Sequence, residues 1–436
     1  MGYFPLILLA SPMAKDKQII RAIKGMVDVI PPSVKMWQRI EKSARRIFST
    51  YGYYEIRTPI VENTDLFVRG VGESSSIVEK EMYSFVDQGD DKLTLRPEGT
   101  APVVRAYIES NICHTAPLAR FFYIGPMFRR ERPQKGRQRQ FYQIGCELFD
   151  VKSPMADAEV IAMADHFLKD VGAEGLVLEI NSIGCPACRP QFNSALVSYF
   201  ESSKSGLCGD CARRLGKNPM RILDCKNEGC KKIVESAPRF PDFWCDECVE
   251  HFNTVKETLN LLEVGYTVND RIVRGLDYYM RTTFEFLTDK LGSQNAVLAG
   301  GRYDGLVKEL GGPDLPGIGF ALGMERLVLL LEQTYSQEFY NDDVIYFAVL
   351  GDKARDAALP MIQILRKDGV RVEWDYASKS LKSQMKRADK LLAKSVVIIG
   401  EDEIQKGHAI VRDMQAGSQK EVRLKDLPMH FIEIGG

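Results

Sequence analysis

Between Arg129 and Arg139 the chain carries Arg129, Arg130, Arg132, Lys135, Arg137 and Arg139 against a single carboxylate, Glu131. A planar guanidinium matches phosphate oxygens bidentately, so this loop suits a phosphate-bearing substrate, although a charge run alone also suits a solvated turn. The stretch that follows, Gln140 to Phe149, alternates as a strand. Phe141, Gln143, Gly145 and Glu147 share one face; Tyr142, Ile144, Cys146 and Leu148 share the other. The second face is apolar core. The first sets an amide and a carboxylate among aromatic and glycine residues, with no Lys or Thr, and reads as the floor of a pocket for an amine-bearing group.

Four more segments point the same way. Leu95-Arg96-Pro97-Glu98-Gly99-Thr100 sets a carboxylate at a turn, and Arg274-Gly275-Leu276-Asp277-Tyr278-Tyr279 puts an arginine and a tyrosine pair on an expected strand. Ala299 to Gly305 is a glycine-rich turn, weak evidence by itself. Gly317 to Arg326 runs from a close-packed strand into a helix with Arg326 in its first turn. A cation there opposes the positive helix N-terminus, so the placement calls for an anion. The chain has neither a Walker-type phosphate loop nor a dinucleotide-binding Gly-x-Gly-x-x-Gly. None of its histidines, His114, His166, His251, His408 and His430, sits in a recognisable nucleophile motif. What remains is catalysis by positioning and charge stabilisation.

Of ten cysteines, eight lie within 64 residues as the close pairs Cys185/Cys188, Cys208/Cys211, Cys225/Cys230 and Cys245/Cys248; Cys113 and Cys146 stand alone. Such spacing can fill one or two tetrahedral zinc sites, with His251 available as a substitute ligand. The plainer reading is a reduced, metal-free insertion whose cysteines are small core residues.

These groups need elements to hold them. The chain has 436 residues, enough for two to four domains, and 45% hydrophobic with 27% charged residues is an ordinary globular balance. Lys plus Arg (58) nearly cancels Asp plus Glu (59), so a polyanion site must be a local patch. No apolar run reaches 18 residues, which excludes a membrane-spanning helix, and Phe4 to Ala10 lacks the basic flank of a signal peptide. The expected location is cytoplasmic. A helix is expected from Ser33 to Tyr51, then an extended segment from Tyr54 to Val61 that Pro59 confines to a sheet edge, as suits a dimer interface. Arg120 to Arg130 and Gln140 to Phe149 form an expected hairpin, followed by a helix from Pro154 to Val171 and a strand from Gly175 to Ile180. Further strands are expected at Arg274 to Leu287, Asn295 to Ala299 and Gly317 to Leu322, in a sheet of six or seven strands. After a polar linker, Gln333 to Asp343, strand–helix alternation begins.

Taken together, these segments resemble the bacterial histidyl-tRNA synthetase family, of class II aminoacyl-tRNA synthetases, over Ala14 to Gly436. The helix from Ser33 with the Pro59 segment resembles motif 1, Phe128 through Glu147 motif 2, and Gly319 through Arg326 motif 3. Arg274 to Tyr279 and Ala299 to Gly305 resemble the two histidine-specific signatures. The resemblance implies an α+β fold: an antiparallel sheet flanked by helices, a helical cysteine-rich insertion and a C-terminal α/β anticodon-binding domain. The implied division is a tail at 1–13, a catalytic domain at 14–183 and 263–335, the insertion at 184–262, and the anticodon-binding domain at 336–436.

The implied activity is that of a ligase joining L-histidine to its tRNA through histidyl-adenylate, releasing AMP and pyrophosphate, with ATP as substrate and Mg2+ beside the pyrophosphate. Arg129, Arg137 and Arg326 would bind ATP. Glu98, Gly99, Thr100 and Gln143 would hold the amino acid's ammonium and backbone. Glu147 and Tyr279 would grip the imidazole, with Tyr278 and Tyr303 lining the pocket. Arg274 would stabilise charge between carboxylate and α-phosphate, so that Arg274, Arg129 and Arg326 form the catalytic set. Arg132 and Gln134 would lie near the tRNA acceptor end. The implied assembly is a homodimer, and the cysteines are candidate ligands for structural zinc. Two rivals stand beside this reading: a regulatory subunit of ATP phosphoribosyltransferase, which shares this catalytic fold but typically lacks the C-terminal domain and loses motif residues, and a tRNA-sensing module that binds without aminoacylating.

Overall fold

Met36, Trp37, Ile40, Ala44, Ile47 and Phe48 form one buried stripe on helix Val34–Thr50, the spacing that makes a helix face a sheet. The computed structural model describes residues 19–72, 75–116, 118–292, 295–335, 343–377 and 379–432. The expected tail at 1–13 lies outside them, as does most of the expected linker. The chain divides into two compact units, Met1–Thr334 and Tyr335–Gly436.

In the first unit the strands are β1 (Tyr54–Glu55), β2 (Val61–Asn63), β3 (Tyr83–Val86), β4 (Lys92–Leu95), β5 (Arg120–Phe128), β6 (Gln140–Phe149), β7 (Val177–Ser182), β8 (Thr267–Val268), β9 (Met280–Leu287), β10 (Ala296–Arg302) and β11 (Gly317–Gly323). Eight of them form one sheet in the order β1-β5-β6-β11-β10-β9-β7-β8. Its inner pairings are antiparallel, and the short outer strands β1 and β8 pair parallel to β5 and β7. The sheet is thus wider than the expected six or seven strands, because two-residue strands carry no readable period. Strands β2, β3 and β4 form a separate small sheet. The single extended segment expected from Tyr54 to Val61 is therefore two strands in two sheets, broken around Pro59.

One face of the large sheet is closed. Phe122, Cys146 and Phe320 lie in one cross-strand row, and Phe48 packs on Phe122 and Phe320 and on Phe167 of helix Pro154–Asp170, with centroids 5.2–6.0 Å apart. The next row along β6 points the other way. Tyr123, Gly145, Ala321, Ala299 and Glu285 are successive partners across β5, β6, β11, β10 and β9. Small residues pave this face.

The insertion is helical: Arg189–Ser202, Gly209–Leu215, Glu228–Val234 and Asp246–Leu261 are joined by short 3-10 turns. It belongs to the first unit, and its Phe192, Leu215, Ile222 and Phe240 share an apolar cluster with Tyr123, Tyr279 and Tyr303. In the second unit a five-stranded sheet follows the expected alternation through Ile345–Val349, Val372–Trp374 and Ser395–Ile399, then adds an antiparallel pair, His408–Asp413 and Gln419–Arg423.

Candidate active site

Above the small-residue face lies a cavity of about 980 Å³. Glu98, Thr100, Arg129, Arg137, Gln143, Arg274, Tyr278, Tyr279 and Arg326 all line it, although their segments are spread over 229 residues of sequence. Gly99, Glu147 and Tyr303 are buried immediately behind this lining. Arg132 and Gln134 are exposed on the loop after β5, where Gln134 and Arg137 exchange backbone hydrogen bonds of 3.1 and 2.9 Å.

The glycines make room for the polar side chains. A Cβ on Gly145 would come within 2.3 Å of the Tyr123 ring, and one on Gly319 within 2.0 Å of a Glu147 carboxylate oxygen. The sheet can hold Tyr123 and Glu147 only because its neighbours lack side chains. Glu147 accepts from Thr100 Oγ1 at 2.7 Å and from the Tyr303 hydroxyl. Burial pushes its carboxyl up to about 8, against the lowering effect of those two bonds, and nearby Glu98 adds to the rise. Glu98 accepts from the amides of Thr100 at 2.8 Å and Ala101 at 2.9 Å, so it also satisfies the start of helix Thr100–Glu109. Burial raises its pKa too.

Two of the guanidiniums, Arg129 and Arg326, are held by backbone carbonyls. Arg129 donates to the Pro97 carbonyl at 2.8 Å and lies over the Phe141 ring. Arg326 donates to the carbonyls of Ala296 at 2.7 Å and Gly136 at 3.3 Å. Burial lowers the Arg326 pKa, and the neighbouring charges of Arg137 and Arg129 lower it further. Arg137 is paired with Glu131 at 2.9 Å, whereas among the described residues Arg129 and Arg326 have only carbonyl partners, so this wall still suits a polyanion. Arg274 pairs with Glu285 and stacks over the Tyr279 ring.

Several buried atoms beside the cavity make no hydrogen bond within the protein: Gln143 Oε1, Tyr123 Oη, Tyr278 Oη and Arg274 Nε. Buried polar groups are ordinarily paired, so these mark where a polar ligand would be gripped. Sequence reading missed Tyr123, Glu285 and Glu325. Glu325 accepts the Tyr142 amide at 2.9 Å and is pushed up to about 7 by burial. Glu325 directly precedes Arg326, and that adjacency was the available clue; nothing comparable flagged Tyr123 or Glu285.

The segment Arg274 to Tyr279 is not a strand, contrary to expectation: β9 starts at Met280. Its carbonyls are claimed by side chains instead. Arg221 donates to Gly275 O at 2.9 Å, and Arg189 donates to Tyr279 O.

A family model described as histidyl-tRNA synthetase matches residues 25–186 and 222–327, and an anticodon-binding-domain model matches 344–433. Two curated relatives named histidine–tRNA ligase are each 50% identical. The one from Syntrophotalea carbinolica aligns over 95% of this chain and 98% of its own, and the one from Geobacter sulfurreducens over 93% and 98%. The chain belongs to the histidyl-tRNA synthetase family. Among solved structures, the apo histidyl-tRNA synthetase of S. aureus superposes with a TM-score of 0.80 at 37% identity, over 95% of this chain and all of that one. A Bacillus halodurans structure titled as an ATP phosphoribosyltransferase regulatory subunit/histidyl-tRNA synthetase shares the fold, with a TM-score of 0.65 at 21% identity over 88% of this chain and 99% of that one. The α+β class, with an anticodon-binding domain at its C-terminal end, is that of the family.

The eight clustered cysteines fall into two sets, Cys185/Cys188/Cys245/Cys248 and Cys208/Cys211/Cys225/Cys230, with every Sγ within 4.8 Å of the others in its set. Neighbouring sulfurs are 3.6–3.9 Å apart. A zinc ion with Zn–S bonds of about 2.3 Å makes a tetrahedron whose sulfurs are about 3.8 Å apart. The donors therefore fit tetrathiolate zinc twice. His251 is in neither set; its ring lies 3.5 Å from Asp157 in the core. Among the described residues no helix is long and apolar enough to cross a membrane.

Proposed function

We propose that the chain activates L-histidine with ATP in this cavity and transfers it to the tRNA for histidine. A carboxylate oxygen of histidine attacks the α-phosphorus, the bond to the bridging oxygen breaks, and pyrophosphate leaves. A terminal ribose hydroxyl of the tRNA then attacks the adenylate's carbonyl carbon, and AMP leaves. Arg274 would sit between carboxylate and α-phosphate, lowering the cost of charge that develops as the new bond forms. Arg129 would hold the α-phosphate, Arg326 the γ-phosphate, and Arg137 would complete the anion site.

Glu98, Thr100 and Gln143 offer acceptors to the ammonium group, and Gly99 leaves room for the Tyr123 ring, which a Cβ there would meet at 2.3 Å. Glu147 and Tyr279 would bind the imidazole. Each carboxylate oxygen has a second lone pair, so a ring N–H can join the bonds Glu147 already receives from Thr100 and Tyr303. Tyr278 and Tyr303 would close the pocket. The observation that carries this reading is the convergence, in one cavity, of buried acceptors with crowded guanidiniums and unpaired polar atoms.

Glu131, Glu285 and Glu325 supply carboxylate oxygens on the same walls, ligand chemistry that suits the Mg2+ accompanying pyrophosphate. The cysteine sets would hold structural zinc, which supplies a cross-link rather than a reacting centre. Exposed Arg132 and Gln134 would meet the acceptor end of the tRNA, and the second unit its anticodon. A homodimer would cover the large sheet's edge at β1, where Tyr54 is exposed, and the small sheet's edge at β2, where Ile60 and Val61 are exposed. We place the enzyme in the cytoplasm.

The test is amino-acid-dependent exchange of pyrophosphate into ATP, run with each of the twenty amino acids and no tRNA. Exchange with histidine alone is expected. No exchange from folded protein that still binds tRNA would replace this reading with a sensing or regulatory one.

A further inference from the structure

The two cysteine sets differ in what they hold. The first joins the ends of the insertion: Cys185 and Cys188 follow β7, and Cys245 and Cys248 start helix Asp246–Leu261. The second lies inside the insertion, with Cys208 and Cys225 on the rim of the active-site cavity. Between its middle ligands, Cys211 and Cys225, the chain runs through Asn218 and Arg221. Asn218 Nδ2 donates to Asp277 Oδ1 at 2.9 Å. Arg221 donates to the same oxygen at 2.9 Å and to the Gly275 carbonyl at 2.9 Å, with its side chain only 10% exposed.

Asp277 and Gly275 belong to the irregular segment that carries Arg274, Tyr278 and Tyr279. No strand ladder fixes that segment; the Arg274–Glu285 pair and the packing of Leu276 hold part of it, and side chains from the insertion hold Gly275 and Asp277. The gripping stretch is itself short of regular structure, with a seven-residue helix and a 3-10 turn. The cross-link at its two ends is what can define its path.

We propose that Cys208, Cys211, Cys225 and Cys230 bind Zn2+, and that this ion positions Asn218 and Arg221 against Asp277, thereby ordering the histidine-binding segment. Each ligating thiol releases its proton to solvent as the zinc–sulfur bond forms. Four soft sulfurs at tetrahedral spacing select zinc over hard cations such as Mg2+. The matched stretches of the family model omit 187–221, which contains Cys208, Cys211, Asn218 and Arg221, whereas Cys225, Cys230 and Asp277 lie inside the match. Arg221 is a positioning residue, since it acts through Asp277. The inference rests on the reading of the cavity as the histidine site.

The experiment uses full-length protein purified with zinc. Metal analysis should find two zinc ions per chain, and one in a Cys208→Ser/Cys225→Ser variant whose circular dichroism is retained. Calorimetric histidine affinity of that variant should fall roughly tenfold, the scale seen when a supporting outer contact is lost. Arg221→Ala should keep both ions and lose affinity to a similar degree, and Arg221→Lys should recover part of it. Combining Arg221→Ala with the cysteine changes should cost no more than either alone.

Cobalt(II) substituted into the second set should show the visible bands of a tetrahedral thiolate site. Absence of metal from this set in folded protein would overturn the proposal. So would unchanged histidine affinity in Arg221→Ala, or full additivity of the two changes. If the serine variant does not fold, Arg221→Ala and its lysine counterpart decide the matter with the metal in place. Wild-type protein that neither binds nor activates histidine would instead refute the reading of the cavity, and the positioning role with it.

Discussion

The two faces of the eight-stranded sheet are built from the same strands in alternate positions, yet they are opposites. On one, Phe48, Phe122, Phe167 and Phe320 pack ring against ring, and Ile144, Cys146 and Leu148 are buried with them. On the other, glycine and alanine pave a floor beneath arginines, carboxylates and tyrosines. The closed face spends its side chains on excluding water and so supplies stability. The open face gives up that packing, and its charges and unpaired polar atoms line the cavity. Stability and chemistry are thus separated by a single residue step along each strand.

Substitutions should respect this division. The largest expected effect is on the closed face. Phe48→Ala removes a ring that touches three others and should cost about 3–5 kcal/mol of unfolding free energy, read as a lower denaturation midpoint. The remaining folded fraction should keep its affinity for histidine. A lost affinity at full foldedness would mean that the two faces are not separable in this way.

Arg274→Ala tests the open face in the opposite sense. It should lower the single-turnover rate of adenylate formation by about 10²–10³-fold, as expected for removing a preorganised charge from the transition state. Its effect on thermal stability should be small, because Arg274 is a cavity residue whose Glu285 partner also reaches the cavity. An unchanged adenylation rate would remove Arg274 from the catalytic set.

Gly145→Ala probes the floor itself. The added methyl meets the Tyr123 ring at 2.3 Å, and Tyr123 is buried and cannot swing into solvent. Overpacking of this kind costs about 1–3 kcal/mol, and the displaced ring should also weaken histidine binding. Paired measurements of denaturation and histidine affinity would check it. A loss of stability with unaltered binding would place Tyr123 outside the histidine pocket.

How much of this was legible in sequence follows from the same geometry. Strand alternation separated Gln143 and Glu147 from Cys146 and Leu148 because β6 is long enough to show its period. The two-residue strands Tyr54–Glu55 and Thr267–Val268 could not be counted that way. Arg274 to Tyr279 looked like a strand because it leads into one, but Arg221 and Arg189 claim the carbonyls a ladder would use. That contact joins segments 54 residues apart, beyond any local pattern. Cysteine spacing gave the pairs, yet not their partners: the outermost two pairs meet across 60 residues while the inner two form their own set. Tyr123 escaped notice because its role depends on glycines across the sheet.

The finest contrast between the faces is electrostatic, and Glu147 allows it to be measured. Its carboxyl has an ordinary value of 4.5 and rises to about 8 in the folded protein, chiefly through burial. A group with a raised folded pKa keeps its proton in the native state after the unfolded chain has lost it. Stability from this group is therefore fully present below about pH 4.5, falls as pH rises, and is lost once pH passes about 8. Glu147→Gln cannot ionise and lacks this dependence. Between pH 5 and 8.5 its melting temperature should decline less than that of the wild type, by on the order of a few degrees. Histidine affinity should fall in the same variant above about pH 8, where wild-type Glu147 is a carboxylate and a neutral amide is the weaker partner for an imidazole N–H. Parallel melting curves for the two proteins across that range would mean that Glu147 is already ionised in its buried site, held so by Thr100 and Tyr303. The open face would then carry a buried negative charge ready for the imidazole before histidine arrives.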